Sequence, residues 1–75
     1  MEKEKRLSEL SVGESGRVSK LLTSGSMRRR FLDIGISPGT EIICVGKSPF
    51  GDPCAYLVRG CEIAIRRSDA YGIVL

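Results

Sequence analysis

Short runs of apolar and β-branched residues, separated by turn residues, make up most of the chain. Five such runs predict strands, at residues 16–22, 40–47, 54–58, 61–66 and 72–75. In the fourth run, Ile63 and Ile65 lie two positions apart, and residues spaced in this way share one face of a strand. The pattern therefore predicts strands that each bury one face.

A helical repeat interrupts this pattern after the first predicted strand. Its apolar residues are spaced by three and four positions, as one face of a helix requires, and they are Met27, Phe31 and Ile34, with Leu32 beside them. Ser24 or Ser26 can cap the first turn, and Gly35 stands where a helix often ends in the left-handed conformation. The repeat predicts a single helix of about two to three turns.

Turn residues indicate how the predicted elements connect. Ser37-Pro38-Gly39-Thr40 predicts a type II turn, residues 48–53 a loop with two prolines, and Arg59-Gly60 a tight hairpin turn. Since such short connections join antiparallel neighbours, we expect a mainly β fold. It would be a small antiparallel barrel of about five to six strands, closed so that strand edges are hidden, with one short α-helix after the first strand. The 75 residues form one domain, and the charged residues 1–6 are predicted to be a disordered lead.

Composition bears on function mainly through what is missing. The chain has no histidine, which is the commonest general base and metal ligand, and no Gly-x-x-x-x-Gly-Lys-Ser/Thr phosphate loop. We therefore expect a binding protein rather than an enzyme. No apolar run approaches the roughly 20 residues that span a bilayer, and the charged start is unlike a signal peptide, so we expect a cytoplasmic location.

The three cysteines, Cys44, Cys54 and Cys61, leave two interpretations open. An odd number without a Cys-x-x-Cys pair argues against a disulfide framework or a zinc finger, and favours small buried apolar residues. Cys44 and Cys54 flank the 48–53 loop, which would place them on paired strands. In the weaker alternative, the three thiols ligate a transition metal or bridge a dimer.

Arginine clusters are the most informative charged feature of a chain whose formal net charge is +3. Arg28, Arg29 and Arg30 follow one another in the first turn of the predicted helix, where each cation opposes the helix dipole at a cost of about 0.3–1 kcal/mol. They form either a solvated helix face or a surface for an anionic partner. Arg66 and Arg67 form a second group, and the two groups would share one basic face if the last strands close against the helix.

A bulky apolar residue stands in the middle of a predicted loop, where side chains are normally hydrated. Pro49-Phe50-Gly51-Asp52-Pro53 holds Phe50 between two prolines. Either Phe50 folds back and plugs the barrel, or it stays exposed and anchors a partner protein.

Three motifs taken together resemble those of the FeoA family, the small accessory proteins of bacterial ferrous iron transport. The motifs are residues 29–40 (RRFLDIGISPGT), the 48–53 loop (SPFGDP) and residues 63–70 (IAIRRSDA), after a similar opening at residues 7–14 (LSELSVGE). The resemblance extends over residues 7–75. It implies an SH3-like barrel with one helix after the first strand. It also implies a role in assisting or regulating FeoB, the membrane ferrous iron transporter with a cytosolic GTP-binding domain.

Under this resemblance, the residues expected to bind the transporter belong to the arginine groups and the loop tip: Met27, Arg28, Arg29, Arg30, Pro49, Phe50, Arg66 and Arg67. The implied protein is not an enzyme, works in the cytoplasm at the inner face of the membrane through its partner, and is a monomer or a weak dimer. It carries no cofactor beyond weak transition-metal binding. Some family members bind metal, but without histidine no metal site is carried over to this chain.

Two other functions fit the sequence less well. A stand-alone nucleic-acid-binding barrel would ordinarily carry more aromatic residues than two tyrosines and two phenylalanines, and a larger positive charge. A metal-sensing or metal-carrying dimer would use Cys44, Cys54 and Cys61, and would be related to the C-terminal domain of iron-dependent repressors.

Overall fold

The structure is a computed structural model and describes residues 4–75. Within that range, a 3₁₀ turn at Leu7–Glu9 precedes eight further elements: β1 (Ser15–Arg17), β2 (Lys20–Leu21), α1 (Gly25–Asp33), β3 (Glu41–Lys47), β4 (Cys54–Val58), β5 (Cys61–Ile65), α2 (Arg67–Ala70) and β6 (Ile73–Val74). All the strand pairs are antiparallel, as the short connections predict. The fold is mainly β, with one nine-residue helix after the first strands.

Hydrogen bonds divide the strands into two sheets. β1, β3, β4 and β5 form one sheet in that order, and β2 pairs with β6 in the other. The predicted first strand, residues 16–22, is split because the chain changes sheets at Val18 and Ser19. The Val18 N–H donates to the carbonyl of Thr40 (2.9 Å), whereas the Ser19 N–H donates to that of Val74 (2.7 Å). Closure was expected to hide the strand edges, but within the described residues β5 pairs with β4 alone.

The hairpin from β4 to β5 has a well-defined turn. Arg59 and Gly60 both have positive φ (50° and 83°), as a two-residue type I′ turn requires. The right-handed twist of this turn matches that of the strands it joins, so the pairing of β4 with β5 continues without a shift in register.

The two ends of α1 differ in how well they were predicted. Ser24 occupies the position before the helix, but its side chain makes no capping hydrogen bond, so the predicted serine cap was wrong for this residue. Gly35 has φ of 99°, which confirms the predicted left-handed end of the helix. Gly39 at 94° and the hydrogen bond from Thr40 N–H to the Ser37 carbonyl (3.0 Å) confirm the turn that leads into β3.

Side chains from both sheets, from α1 and from the 3₁₀ turn form one apolar core. Its fully buried members include Leu7, Leu10, Ile36, Ile42, Cys44, Tyr56, Val58, Ile73 and Val74. From the predicted apolar stripe of α1, Phe31 is buried in this core and Met27 packs against the core while partly buried. The other two residues of the stripe, Leu32 and Ile34, are exposed. Among the described residues, no helix is both long enough and apolar enough to cross a membrane.

The segment before the 3₁₀ turn is attached to the end of the chain. The Lys5 carbonyl accepts a hydrogen bond from the Leu75 N–H (2.8 Å), and Arg6 forms an antiparallel bridge with Val74. Of the disordered lead predicted at residues 1–6, residues 1–3 lie outside the described part of the chain. Lys5 and Arg6 are ordered by these contacts, in contrast to the predicted disorder.

Tyr56 makes the core sensitive to alkaline pH. Its side chain is fully buried, and its hydroxyl donates to the carbonyl of Leu7 (3.5 Å). Burial, reinforced by the neighbouring Cys54, raises the pKa of Tyr56 well above its ordinary value of 10.0. The unfolded tyrosine ionises near pH 10 while the folded one stays neutral. The linked stability is therefore complete below that pH and is lost as the pH rises above it.

Tyr56→Phe should therefore reduce the fall in unfolding free energy between about pH 9 and pH 11, because phenylalanine has no proton to lose. Urea denaturation across this range measures the effect. Tyr71→Phe, at an exposed position, is the matched control and should leave the alkaline slope unchanged. An identical slope in the wild type and Tyr56→Phe would contradict the prediction.

Candidate protein-binding surface

The three consecutive arginines of α1 point in different directions. Successive residues lie about 100° apart around a helix, so three in a row cannot share one narrow face. Arg28 Nη1 donates to the carbonyl of Leu21 in β2 (3.4 Å), Arg29 lies beside the start of the helix, and Arg30 lines a groove next to β5. All three side chains are exposed, but they do not form the single patch that their sequence suggests.

A groove of about 190 Å³ lies between α1 and β5. Its apolar lining residues are Met27, Phe31, Ile34, Ile63, Ala64 and Ile65, and its charged ones are Arg30, Arg66 and Asp69. Arg30 belongs to α1, whereas Arg66 links β5 to α2. The two basic groups recognised in the sequence therefore meet at one groove, through one arginine from each group.

The arginines of this groove form no ion pair within residues 4–75. The two ion pairs of that range lie elsewhere, and they are Lys5–Glu14 (3.4 Å) and Lys20–Glu4 (3.1 Å). Asp69 also lines the groove, but it makes no salt bridge with Arg30 or Arg66 in the described part of the chain. With two arginines and one aspartate, the groove carries a net positive charge that an acidic side chain could neutralise.

The 48–53 loop presents an exposed aromatic side chain. Phe50 is 96% exposed, so the alternative that Phe50 plugs the barrel was wrong. The Gly51 N–H donates to the Ser48 carbonyl (2.8 Å), and the Ser48 N–H donates to the Pro53 carbonyl (3.1 Å). Because these bonds hold the loop in a defined shape, the backbone at Phe50 loses little conformational freedom when the loop contacts another molecule.

One side chain joins this loop to the start of α2. The Asp52 carboxylate accepts a hydrogen bond from the Arg67 N–H (2.9 Å). Backbone donors in the first turn of a helix have no partner within the helix, so Asp52 satisfies a group that would otherwise depend on water. Since Arg67 directly follows Arg66, the contact holds the loop with Pro49 and Phe50 beside the chain segment that lines the groove.

Asp52→Ala should lower the unfolding free energy by about 0.5–2 kcal/mol, because the Arg67 N–H loses its acceptor. Asp52→Asn keeps a side-chain oxygen that can accept the same hydrogen bond, and it should cost less. Urea denaturation of both variants measures the two losses, and the NMR chemical shift of the Arg67 amide reports whether the contact persists. Equal losses in the two variants would show that the hydrogen bond contributes nothing.

The structure brings together part of the predicted binding surface. Three of its eight residues, Met27, Arg30 and Arg66, line the groove. The others are exposed outside the groove lining, and they are Arg28, Arg29, Pro49, Phe50 and Arg67. The apolar contribution of β5 to the groove was missed, because the alternation within a strand does not reveal which edge stays unpaired.

The predicted burial of the cysteines is correct for Cys44 and Cys54 and wrong for Cys61. Cys44 and Cys54 lie on the paired strands β3 and β4, and both are buried, whereas Cys61 begins β5 and is exposed. The two buried thiols donate weakly to the carbonyls of Gly46 (3.9 Å) and Gly51 (3.5 Å). Within residues 4–75, no group of three or more potential ligand side chains is arranged to hold a metal ion. Burial supports a packing role for Cys44 and Cys54.

Arg59 has a structural role that its position in a turn did not reveal. Its Nε donates to the carbonyl of Gly35 (3.1 Å), and its Nη2 donates to the hydroxyl of Thr40 (3.4 Å). The Thr40 hydroxyl in turn donates to the Gly35 carbonyl (3.0 Å). These bonds attach the end of α1 to the sheet, and so they help to position the helix that forms one side of the groove.

Comparison with known proteins identifies the family. Residues 5–75 match the model of the FeoA domain. The chain belongs to the FeoA domain family. The resemblance recognised from the sequence motifs is thereby confirmed for almost the whole chain.

Solved FeoA structures confirm the SH3-like fold. The FeoA-like protein from Clostridium acetobutylicum is 36% identical, with a TM-score of 0.86 over 99% of this chain and 86% of its own. Stenotrophomonas maltophilia FeoA complexed with zinc, described as a prokaryotic SH3 domain protein, is 29% identical. Its TM-score is 0.83 over 95% of this chain and 89% of its own. The predicted SH3-like architecture is therefore correct, and the helix that was predicted to follow the first strand follows β1 and β2, into which that strand is split.

One curated relative connects this FeoA domain with a transporter. The Fe(2+) transport protein A/Fe(2+) transporter FeoB fusion protein of Porphyromonas gingivalis (strain ATCC BAA-308 / W83) is 34% identical over 65 residues. The match includes 87% of this chain but 8% of the relative. The chain thus spans less than a tenth of that protein.

Proposed function

We propose that this FeoA domain is a small accessory protein of ferrous iron uptake that acts by binding a FeoB-type transporter. The observation that carries the proposal is the Porphyromonas gingivalis relative, in which a segment similar to this chain belongs to the same polypeptide as a FeoB transporter. Fusion raises the effective concentration of two modules for each other, which is useful when the modules act together. Where the two modules lie on different polypeptides, the same association requires a binding surface.

The proposed docking partner is the cytosolic GTP-binding domain of the transporter. The proposed location of the FeoA domain is therefore the cytoplasm, where binding to the transporter holds it at the inner face of the membrane. The proposed role is regulatory rather than enzymatic, because the chain has no histidine and no Gly-x-x-x-x-Gly-Lys-Ser/Thr phosphate loop. Zinc accompanies the Stenotrophomonas maltophilia structure, and no resident cofactor is proposed for this chain.

The proposed contact surface consists of the groove between α1 and β5 together with the Phe50 loop. Arg30 and Arg66 supply positive charge without an ion-pair partner among residues 4–75, and Phe50 supplies an exposed aromatic side chain on a hydrogen-bonded loop. Aromatic and arginine side chains dominate the free energy of many protein interfaces. The surface therefore combines the two residue types that such an interface most often uses.

The test is a binding titration of the FeoA domain against the isolated cytosolic domain of its cognate transporter. Arg30→Glu combined with Arg66→Glu should weaken binding by about tenfold or more, and Phe50→Ala by a similar factor. Arg17→Glu is the matched control, since Arg17 lies on β1 at the opposite edge of the four-stranded sheet from β5. Arg17→Glu changes the net charge of the chain by the same amount as either of the other arginine substitutions alone. The affinity of this variant for the transporter domain should nevertheless stay close to that of the wild type.

The outcomes separate the partner from the contact surface. No binding by the wild-type chain would refute the proposed function. Wild-type binding that survives both the double arginine substitution and Phe50→Ala would show that the partner is right and that the surface is wrong. The same preparation also tests the two other functions, through binding to mixed single-stranded DNA at low salt and through protection of thiols by ferrous or zinc ions.

A further inference from the structure

β5 leaves one long edge of the four-stranded sheet uncovered. The sheet has β1 at one edge and β5 at the other, and β1 is three residues long whereas β5 has five. Natural proteins usually protect such edges with lysine, proline or a bulge, because an unpaired edge recruits other strands. The sequence of β5, CEIAI, contains neither residue, and its register with β4 has no bulge.

The hairpin turn determines which backbone groups of β5 face outward. In a two-residue type I′ hairpin, the residues that flank the turn form a hydrogen-bonded pair, here Val58 and Cys61. Hydrogen-bonded and non-hydrogen-bonded pairs then alternate along an antiparallel ladder, so Glu62 and Ala64 point their N–H and C=O groups away from β4. Within residues 4–75, neither residue makes a backbone hydrogen bond on that outer side.

The groove lies along this same edge. Its lining includes the three β5 residues Ile63–Ile65 on one side and α1 residues on the other. A volume of about 190 Å³ is small for a drug-sized ligand, for which sites of roughly 300–1,000 Å³ are usual, but it suits a single anchoring side chain. A strand edge beside an apolar groove is the arrangement by which proteins bind extended segments as an added strand.

The charge of the groove indicates which side chains a bound extended segment would carry. Arg30 and Arg66 line it without an ion pair among the described residues, and Asp69 is the one carboxylate in its lining. An acidic residue of a bound segment would therefore be attracted, and a basic one repelled. The apolar lining from Met27 and Ile63 favours an aliphatic or aromatic neighbour to that acidic residue.

We propose that the transporter contributes an extended acidic and apolar segment that pairs with the free edge of β5 as a fifth strand of the sheet. One apolar side chain of the segment occupies the groove, and an acidic side chain faces Arg30 and Arg66. The backbone groups of Glu62 and Ala64 form the new ladder. This inference rests on the proposed function, because it takes the cytosolic domain of the transporter as the source of the segment.

Substitution of Ala64 isolates the backbone contact. Ala64→Pro removes the outward N–H, and proline is tolerated on edge strands, whereas Ala64→Thr keeps the N–H and adds a side chain that suits a strand. Against the cytosolic domain of the transporter, Ala64→Pro should weaken binding by about tenfold and Ala64→Thr by much less. Circular dichroism and urea denaturation of the two free variants show whether both are folded.

Hydrogen exchange of the wild-type chain provides a second measurement, which does not depend on whether a variant folds. The outward amides of Glu62 and Ala64 should exchange quickly in the free chain and become protected when the transporter domain is added. Protection of the same amides in the concentrated chain alone, together with dimer formation, would instead assign the edge to a second copy and overturn the inference.

The failure of this inference can be told apart from the failure of the proposed function. If the wild-type chain does not bind the transporter domain, the proposed function fails and this inference fails with it. If the wild type binds, but Ala64→Pro binds equally well and the two amides stay unprotected, the function stands and strand addition at β5 is wrong.

Discussion

Ile42→Ala should remove about 2–5 kcal/mol from the free energy of unfolding, a large part of the about 4–11 kcal/mol expected for a domain of 75 residues. Ile42 is completely buried in β3, with Gly16 and Val58 as its partners on the two neighbouring strands. Removing its side chain loses apolar burial and leaves a cavity between strands that cannot move closer without breaking their ladders. Urea denaturation measures the loss.

Ile43→Ala is the matched control for this prediction. Ile43 is the next residue of the same strand, so its side chain lies on the opposite face, where it is half-buried beside Leu57. The same atoms are deleted in both variants, but in Ile43→Ala the vacated space opens to water and leaves no closed cavity. We expect Ile43→Ala to cost less than half as much as Ile42→Ala. Similar losses would mean that the two faces of β3 are equally important for stability.

Gly35→Ala should cost about 2–4 kcal/mol, because it combines backbone strain with a steric conflict. Gly35 has φ of 99°, and a Cβ atom there would lie 2.6 Å from Arg59 Cδ and 2.8 Å from Arg59 Nε. The Arg59 side chain must therefore move, and its hydrogen bonds to the Gly35 carbonyl and the Thr40 hydroxyl are lost. The end of α1 then loses its attachment to the sheet.

Gly39→Ala is the matched control, because it introduces the backbone strain of an alanine at positive φ without a steric conflict. Gly39 has φ of 94°, close to that of Gly35, but a Cβ atom there would meet nothing within 4 Å. It should cost about 1–2 kcal/mol, the strain alone. A double-mutant cycle with Arg59→Ala completes the test by urea denaturation, because Arg59→Ala should cost less in the Gly35→Ala background than in the wild type. Equal losses for Gly35→Ala and Gly39→Ala would show that Arg59 moves aside at no cost.

The candidate surface shows where prediction from the sequence was limited. The motif that contains Arg29 and Arg30 and the motif that contains Arg66 were both recognised, and so was the exposed loop around Phe50. A shared basic face of the two arginine groups was predicted, on the condition that the last strands close against the helix. Which arginines meet there was not predicted, because the burial of Phe31 in the core sets the rotation of α1 about its axis. That rotation directs Arg30 toward the groove and separates it from its two arginine neighbours.

Local chemistry determined most of the elements of this chain. Runs of β-branched residues, a helical repeat of apolar residues and glycines at left-handed positions act over a few residues, so their effects can be recognised from the sequence. The division of the strands into two sheets, the exposed edge of β5 and the groove beside α1 depend on contacts between distant segments, such as Ser19 with Val74 or Asp52 with Arg67. Only the tertiary structure decides these features, because each depends on which distant segments satisfy one another's hydrogen bonds and bury one another's apolar side chains.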